Sequence, residues 1–236
     1  MTYDTVADPQ ARWGADVLLR VAGGRRALDA GCGSGRVTEQ LLDKFPDLTV
    51  VGVDRSAAML SAAQDRLARF GDRVTLVQAD LSAPLPDVGL FDLVFSTATF
   101  HWVRDHGRLF QRLARVLEMG GRLVAQWGGR GNIDSVVNAM RDLGLDSSYW
   151  HFADPTETAE HLREAGFTDI AVWCHADPAT FATRAELERF LESVVLFEAL
   201  AGMPDERRRD LIARVADRLG ALSIDYVRLN AMAVRG

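Results

Sequence analysis

Two rhythms of apolar residues alternate along this chain. Short, nearly continuous apolar runs stand at 26–30, 49–54, 73–78, 91–96 and 122–127, and between them lie segments whose apolar positions recur three or four apart. The first rhythm belongs to strands buried on both faces, the second to amphipathic helices. The spacing predicts helices over about 9–21, 35–45, 57–70, 105–118, 133–143, 156–165, 183–200 and 204–219. On the first, Trp13, Val17, Leu18 and Val21 share a face, and Gly23-Gly24 closes it. Ser56 stands where it can cap the third, and Gly166 where it can end the sixth. A further strand is predicted over 168–174, and a last one in the alternating run 224–234. Strands alternating with helices make a doubly wound α/β sheet.

Composition narrows this little. At 236 residues the chain reads as a single domain that can bury a large core without disulfides. The net charge is −6, from 27 Lys and Arg against 33 Asp and Glu, which argues against a nucleic-acid partner. Arg207-Arg208-Arg209 is flanked by Asp205, Glu206 and Asp210 and reads as a solvated helix face. Cys32 and Cys174 lack metal-ligand spacing and read as small core residues of a reducing compartment, so no metal is expected. No basic-then-apolar leader and no run of membrane-spanning length stands out, so a cytoplasmic protein without membrane partners is expected.

Candidate chemistry gathers at Leu28-Asp29-Ala30-Gly31-Cys32-Gly33-Ser34-Gly35-Arg36, read as strand, glycine turn and helix start. Such a turn lets backbone approach a ligand closely, and the helix behind it offers free N–H groups. The spacing is Gly31-x-Gly33-x-Gly35 with Arg at 36, which departs from the dinucleotide fingerprint. Asp29 would repel a pyrophosphate and would suit a ligand cation. Asp54 ends the second strand, where a carboxylate can accept both ribose hydroxyls. Asp80 follows the third strand, placed for an adenine amine, with Met59 and Leu81 as apolar walls. Acids after three successive strands suit an uncharged nucleoside with a cationic tail.

In order and spacing these segments, together with Gly52-Val53-Asp54, Gln78-Ala79-Asp80-Leu81 and Phe91-Asp92-Leu93-Val94-Phe95-Ser96, resemble class I S-adenosylmethionine-dependent methyltransferases. The resemblance implies a Rossmann-like seven-stranded mixed sheet with its last strand antiparallel. It implies that Gly31 and Gly33 approach the methionine part, that Asp54 holds the ribose, and that Asp80 with Leu81 holds the adenine. Asp29, Cys32, Arg55, Met59 and Ser96 complete the expected contacts to S-adenosyl-L-methionine, whose product form is S-adenosyl-L-homocysteine. The loop Phe100-His101-Trp102-Val103-Arg104-Asp105-His106, the stretch 162–167 and the ending Tyr226-Val227-Arg228-Leu229-Asn230 are similar to the trans-aconitate methyltransferase-like group, as is an N-terminal segment bearing Tyr3, Arg12 and Trp13. Thr97, Met119 and Thr158 depart from that group's pattern.

On this reading residues 1–24 form an N-terminal helical flap, 25–127 the cofactor-binding core, 128–160 and 177–220 a helical cap, and 223–235 the final strand. Arg12 is a candidate partner for the methionine carboxylate. Tyr3, Trp13, Thr97, His101, Trp102 and Trp150 are candidates to line the substrate pocket. His101 is the candidate catalytic residue, as general base or as a wall beside Trp102. His106 reads as the exposed start of a helix, His151 as a pocket-lining or solvated loop residue, and Phe181, Phe190, Val194, Phe197 and Leu200 as a stripe for core or cap packing, ahead of a substrate wall or a dimer face. The expected reaction moves a methyl group to an oxygen, carbon or nitrogen of a small metabolite, a carboxylate among them. The alternatives are a protein that binds S-adenosylmethionine without methyl transfer and, disfavoured by Asp29 and Arg36, a nicotinamide oxidoreductase. Either a monomer or a homodimer fits.

Overall fold

The computed structural model describes residues 8–236, with side chains from Arg12 onward, so Tyr3 lies outside the described residues. In chain order the elements are α1 (Asp8–Leu18), β1 (Arg26–Ala30), α2 (Arg36–Lys44), β2 (Thr49–Asp54), α3 (Ala57–Leu67), β3 (Val74–Gln78), β4 (Phe91–Thr97), α4 (His106–Val116) and β5 (Leu117–Gly128). They continue as α5 (Asp134–Asp142), α6 (Pro155–Glu164), β6 (Phe167–Ala176), β7 (Ala179–Thr180), α7 (Arg184–Phe190), α8 (Asp205–Leu219), β8 (Ser223–Ile224) and β9 (Val227–Arg235).

Seven strands form one sheet in the order β3-β2-β1-β4-β5-β9-β6. β9 runs antiparallel to both β5 and β6, as the family resemblance implied. The strand order reverses between β1 and β4, the place where open α/β sheets form their ligand crevice. Leu28, Ala30, Val53, Val94, Leu123 and Ala231 belong to one buried cluster against α4 and α6, and Ala27, Val50, Leu93, Phe95 and Val124 to another against α1, α2 and α3. A third cluster joins Trp13 and Tyr226 to α5, α7 and α8. Among the described residues no helix is long and apolar enough to cross a membrane.

Several predicted bounds shift for local reasons. The first helix ends at Leu18 rather than Val21, because Arg20 and Val21 bond back to Val17 and Leu18 in a tighter turn. The helix expected over 183–200 stops at Phe190. A wide turn over Leu191–Val195 follows, and it turns the next residues toward the sheet edge. The closing run is two strands: Ile224 pairs with Ala179, and β9 starts at Val227. Ser56 caps α3 as expected, its Oγ accepting from Met59 N at 3.3 Å. His106 is buried, not exposed: its Nε2 lies 2.9 Å from Phe100 O.

Candidate active site

The glycine turn is held open by its own backbone. Gly31 N and Cys32 N donate to Val53 O at 2.8 and 3.0 Å, which hangs the turn on the end of β2. Gly31 and Gly33 take φ of 87° and 53°, where side chains are strained. A Cβ on Gly31 would lie under 3.0 Å from the Thr99 side chain, whereas one on Gly33 would meet no protein atom within 4 Å. Gly33 therefore borders open space, and that space belongs to a cavity of about 560 Å³.

The cavity follows the crevice along the C-terminal ends of the strands. Gly31, Cys32, Gly33, Asp54, Arg55, Met59, Asp80 and Leu81 line it, and so do Trp13, Thr97 and Trp102. The structure thus brings together most of the residues singled out by sequence. Asp54 accepts Gly33 N through Oδ2 and Ser56 N through Oδ1, both at 2.9 Å. A carboxylate has about four acceptor positions, so capacity for two more donors remains. Asp80 Oδ1 accepts both the Ser82 hydroxyl and the Ser82 N–H, at 2.7 and 2.8 Å. Those bonds hold its carboxyl below the usual range. With Met59, Ala79 and Leu81 as apolar wall, this pair of acceptors fits an adenosine.

Five candidates stand elsewhere. Ser96 points away from the cavity and donates to Ala30 O at 2.7 Å, fully buried. Its neighbour Thr97 lines the cavity because side chains alternate along a strand. Asp29 is walled off beneath the turn, 2 % exposed, where its Oδ2 accepts the Thr38 hydroxyl at 2.6 Å. Arg12 reaches Asp177 at 2.5 Å instead of the cavity, and Trp13 Nε1 donates to the same carboxylate at 2.6 Å. Trp150 stacks behind Trp102 and Phe152 without lining the cavity.

His101 is the fifth. It lies in the single turn Phe100–Trp102, where successive side chains splay about 120° apart. Trp102 takes the cavity side, and His101 turns to β5, its Nδ1 3.4 Å from the Gly128 N–H that it accepts. Burial pushes its pKa down to about 3, with the charge on Arg228 adding to the effect. Its ring packs beside Phe152, with the centroids 5.9 Å apart.

Burial raises the Asp29 pKa to about 7, against the Thr38 hydrogen bond that lowers it. Between pH of about 4 and 7 the folded state keeps a proton that the unfolded chain has released. This group's contribution to stability therefore falls as pH rises through that window. Asp29→Asn is expected to melt higher than the parent at pH 8 and to show a smaller difference at pH 5; thermal melts at the two pH values check this.

The geometry has relatives. Residues 28–125 match the family profile of a methyltransferase domain. A trans-aconitate 2-methyltransferase of Acidovorax sp. (strain JS42) is 37% identical over 233 residues, covering 92% of this chain and 87% of that protein. The chain belongs to the trans-aconitate 2-methyltransferase family. A solved Haemonchus contortus phosphoethanolamine N-methyltransferase 2, in complex with S-adenosyl-L-methionine, superposes with a TM-score of 0.62 at 25% identity over 95% of this chain and 52% of that one, so this chain spans about half its length. The YcgJ protein of Bacillus subtilis shares the fold alone, with a TM-score of 0.68 at 18% identity over 95% and 98% of the two chains. The protein is thus an enzyme, an S-adenosylmethionine-dependent methyltransferase.

This methyltransferase has site residues that sequence reasoning missed. Gly14, Val37, Thr99 and Val103 add to the cavity wall, and Phe197 and Glu198 enter it from the segment after the wide turn. Arg55 bridges to Glu198 at 2.6 Å and lies 5.9 Å over the Trp102 ring. Arg55, Trp102 and Glu198 also border a second hollow of about 590 Å³ with Arg104 and Tyr149. Arg228, in the ending that resembles the trans-aconitate methyltransferase-like group, also lines the cavity, at 2 % exposure.

Proposed function

We propose that this methyltransferase esterifies a carboxylate oxygen of a small organic acid, with trans-aconitate as the first candidate. One observation carries the reading: among the described residues that line the cavity, none is an unengaged general base. Glu198 is paired with Arg55, Asp54 and Asp80 accept hydrogen bonds at the nucleoside side, and burial pushes the Cys32 thiol far up. A hydroxyl or carbon acid needs a base, while a carboxylate is already a nucleophile. The names of the matched relatives point to the same acceptor class.

When bound, S-adenosylmethionine supplies a methyl group on a sulfonium, which leaves as a neutral thioether. The chain's part is placement. We assign Asp54 to the ribose hydroxyls, Asp80 to the adenine amine, and Gly31, Cys32 and Gly33 to the methionine part. Met59 and Leu81 hold the adenine between apolar walls. Trp102, Val103 and Phe197 keep water from the reacting atoms, and the Arg55–Glu198 pair ties the helical cap to the core. The cavity would hold the acceptor oxygen in line with the donor's methyl group, and a carboxylate acceptor would need no proton removed by this chain. Such positioning supplies several kcal/mol of the barrier reduction in well-oriented reactions. With a net charge of −6, we expect a small diffusing acid rather than a nucleic acid as the acceptor.

Two measurements test this. The kcat/KM profile for trans-aconitate should be flat from the acceptor's own pKa to pH 9, and a further limb near neutrality would reveal an essential base. His101→Asn is expected to lower kcat by less than about tenfold, against the roughly 10²–10⁴-fold that a lost general base costs.

A further inference from the structure

One buried cation in the cavity has no assigned work. Arg228 is the second residue of β9, and its register partners are Gly128 on β5 and His175 on β6. Its Nε donates to Gln126 Oε1 at 3.3 Å, and its guanidinium lies 4.4 Å over the Trp13 ring. Its Nη2 is buried with no hydrogen-bond partner. The nearby Asp177 is already engaged by Arg12 and Trp13. Buried donors are almost always satisfied, and a buried guanidinium without an anion is costly. Burial pulls its pKa to about 10, which still leaves it charged at neutral pH.

The sheet order says which ligand it faces. Asp54 and Asp80 put the nucleoside over β2 and β3, on one side of the crevice between β1 and β4. β9 lies on the other side, three strand spacings from β1, or about 14 Å at roughly 4.8 Å each. Thr97 and Ala98 lie between, at the end of β4, with Ala98 N donating to Gln126 O at 2.7 Å. Ala98 takes a φ of 53°, a strained conformation for an alanine and one found where a site constrains the backbone.

We infer that Arg228, oriented by Gln126 and backed by Trp13, binds a second, non-reacting carboxylate of the methyl acceptor, so that the enzyme selects di- and tricarboxylic acids over monoacids. A guanidinium is suited to this because its planar fork pairs both carboxylate oxygens at once. Gln126 is a positioning residue here. It is fully buried between Arg228 and Asn230, donating to Asn230 Oδ1 at 2.8 Å, and Asn230 also accepts Arg20 at 2.5 Å. This network fixes the guanidinium before any ligand arrives. The inference rests on the proposal that the acceptor is a carboxylic acid.

The test separates the two. Binding of tricarballylate, an unreactive tricarboxylate, to the protein saturated with S-adenosylhomocysteine needs no methyl transfer. For the unaltered chain, tight binding of tricarballylate and weak binding of butyrate are expected by calorimetry, and equal affinities overturn the inference without any variant being made. Arg228→Met should weaken tricarballylate by about 100-fold, Arg228→Lys should recover part of it, and affinity for S-adenosylhomocysteine should change less than threefold. That last value also reports that the variants fold. A parallel loss of S-adenosylhomocysteine affinity would instead assign Arg228 to the cofactor's own carboxylate and overturn the inference. Tight, Arg228-dependent tricarballylate binding in a protein that methylates no carboxylic acid would uphold the anion site and refute the proposed reaction.

Discussion

Gly31→Ala is expected to abolish measurable binding of S-adenosylhomocysteine and to lower the melting temperature. Two effects add. An alanine at a φ of 87° is strained by roughly 1–3 kcal/mol. Its methyl would also sit under 3.0 Å from Cβ, Oγ1 and Cγ2 of Thr99. Thr99 cannot step aside freely, because its hydroxyl lies 3.1 Å from Gly31 O and 2.9 Å from Thr97 O. The turn must shift, and the shift breaks its two bonds to Val53 O. At roughly 2–4 °C per kcal/mol for a chain of this size, a fall of about 5–10 °C is expected. Gly33→Ala is the informative contrast. Its φ of 53° carries some strain, but its Cβ meets no protein atom. It should melt within a few degrees of the parent, a small shift at that same conversion, and still bind the cofactor poorly. Melting curves and calorimetry on both proteins check the pair; normal binding by Gly33→Ala would mean that the cofactor does not lie against the turn.

The second large effect is expected at Asp54. Its two oxygens tie the glycine turn, through Gly33 N, to the start of α3, through Ser56 N. Asp54→Ala removes both charge-assisted bonds and, on the proposed role, two ribose contacts as well. A loss of at least ~2 kcal/mol of binding, about 30-fold in affinity for S-adenosylhomocysteine, is expected. Asp54→Asn should fare little better, since one oxygen becomes an amide that cannot accept from a backbone N–H. Unchanged calorimetric affinity in either variant would remove Asp54 from the cofactor site.

The contrast between Asp54 and Asp29 explains how far the sequence could be read. Both acids flank the glycine turn, and spacing alone treats them alike. Asp54 stands at the last position of its strand, where the chain emerges into the crevice; Asp29 stands one residue inside its strand end, so its side chain is buried toward Thr38. Alternation along β4 likewise separates Thr97 from Ser96, and the splay of a tight turn separates Trp102 from His101. Motif order fixes which loops meet, and it did so here for β1, β2, β3 and β4. The face a given side chain takes depends on register and on turns of one residue, which a motif does not encode.

Long-range partners were less legible still. Arg12 was a reasonable mate for an anion near the turn, but Asp177, 165 positions away, takes it first. Arg228 was one arginine among many until the sheet order put β9 beside β5 at the mouth of the cavity. The cap stripe divides in the same way. Phe181, Phe190, Val194 and Leu200 pack into the helical cluster, while Phe197 stays 42% exposed and lines the cavity. The wide turn at Leu191–Val195 makes that difference, and periodicity taken as an unbroken helix cannot register it.

The most direct test of the account is the product. The enzyme would be incubated with a methyl-labelled donor and, separately, trans-aconitate, other di- and tricarboxylic acids, monoacids, amines and phenols, and the products read by mass spectrometry before and after mild alkali. Label is expected in a monomethyl ester of a polycarboxylic acid, released by alkali. Label only in alkali-stable products of amines or phenols, or no transfer to any acid, would contradict that expectation.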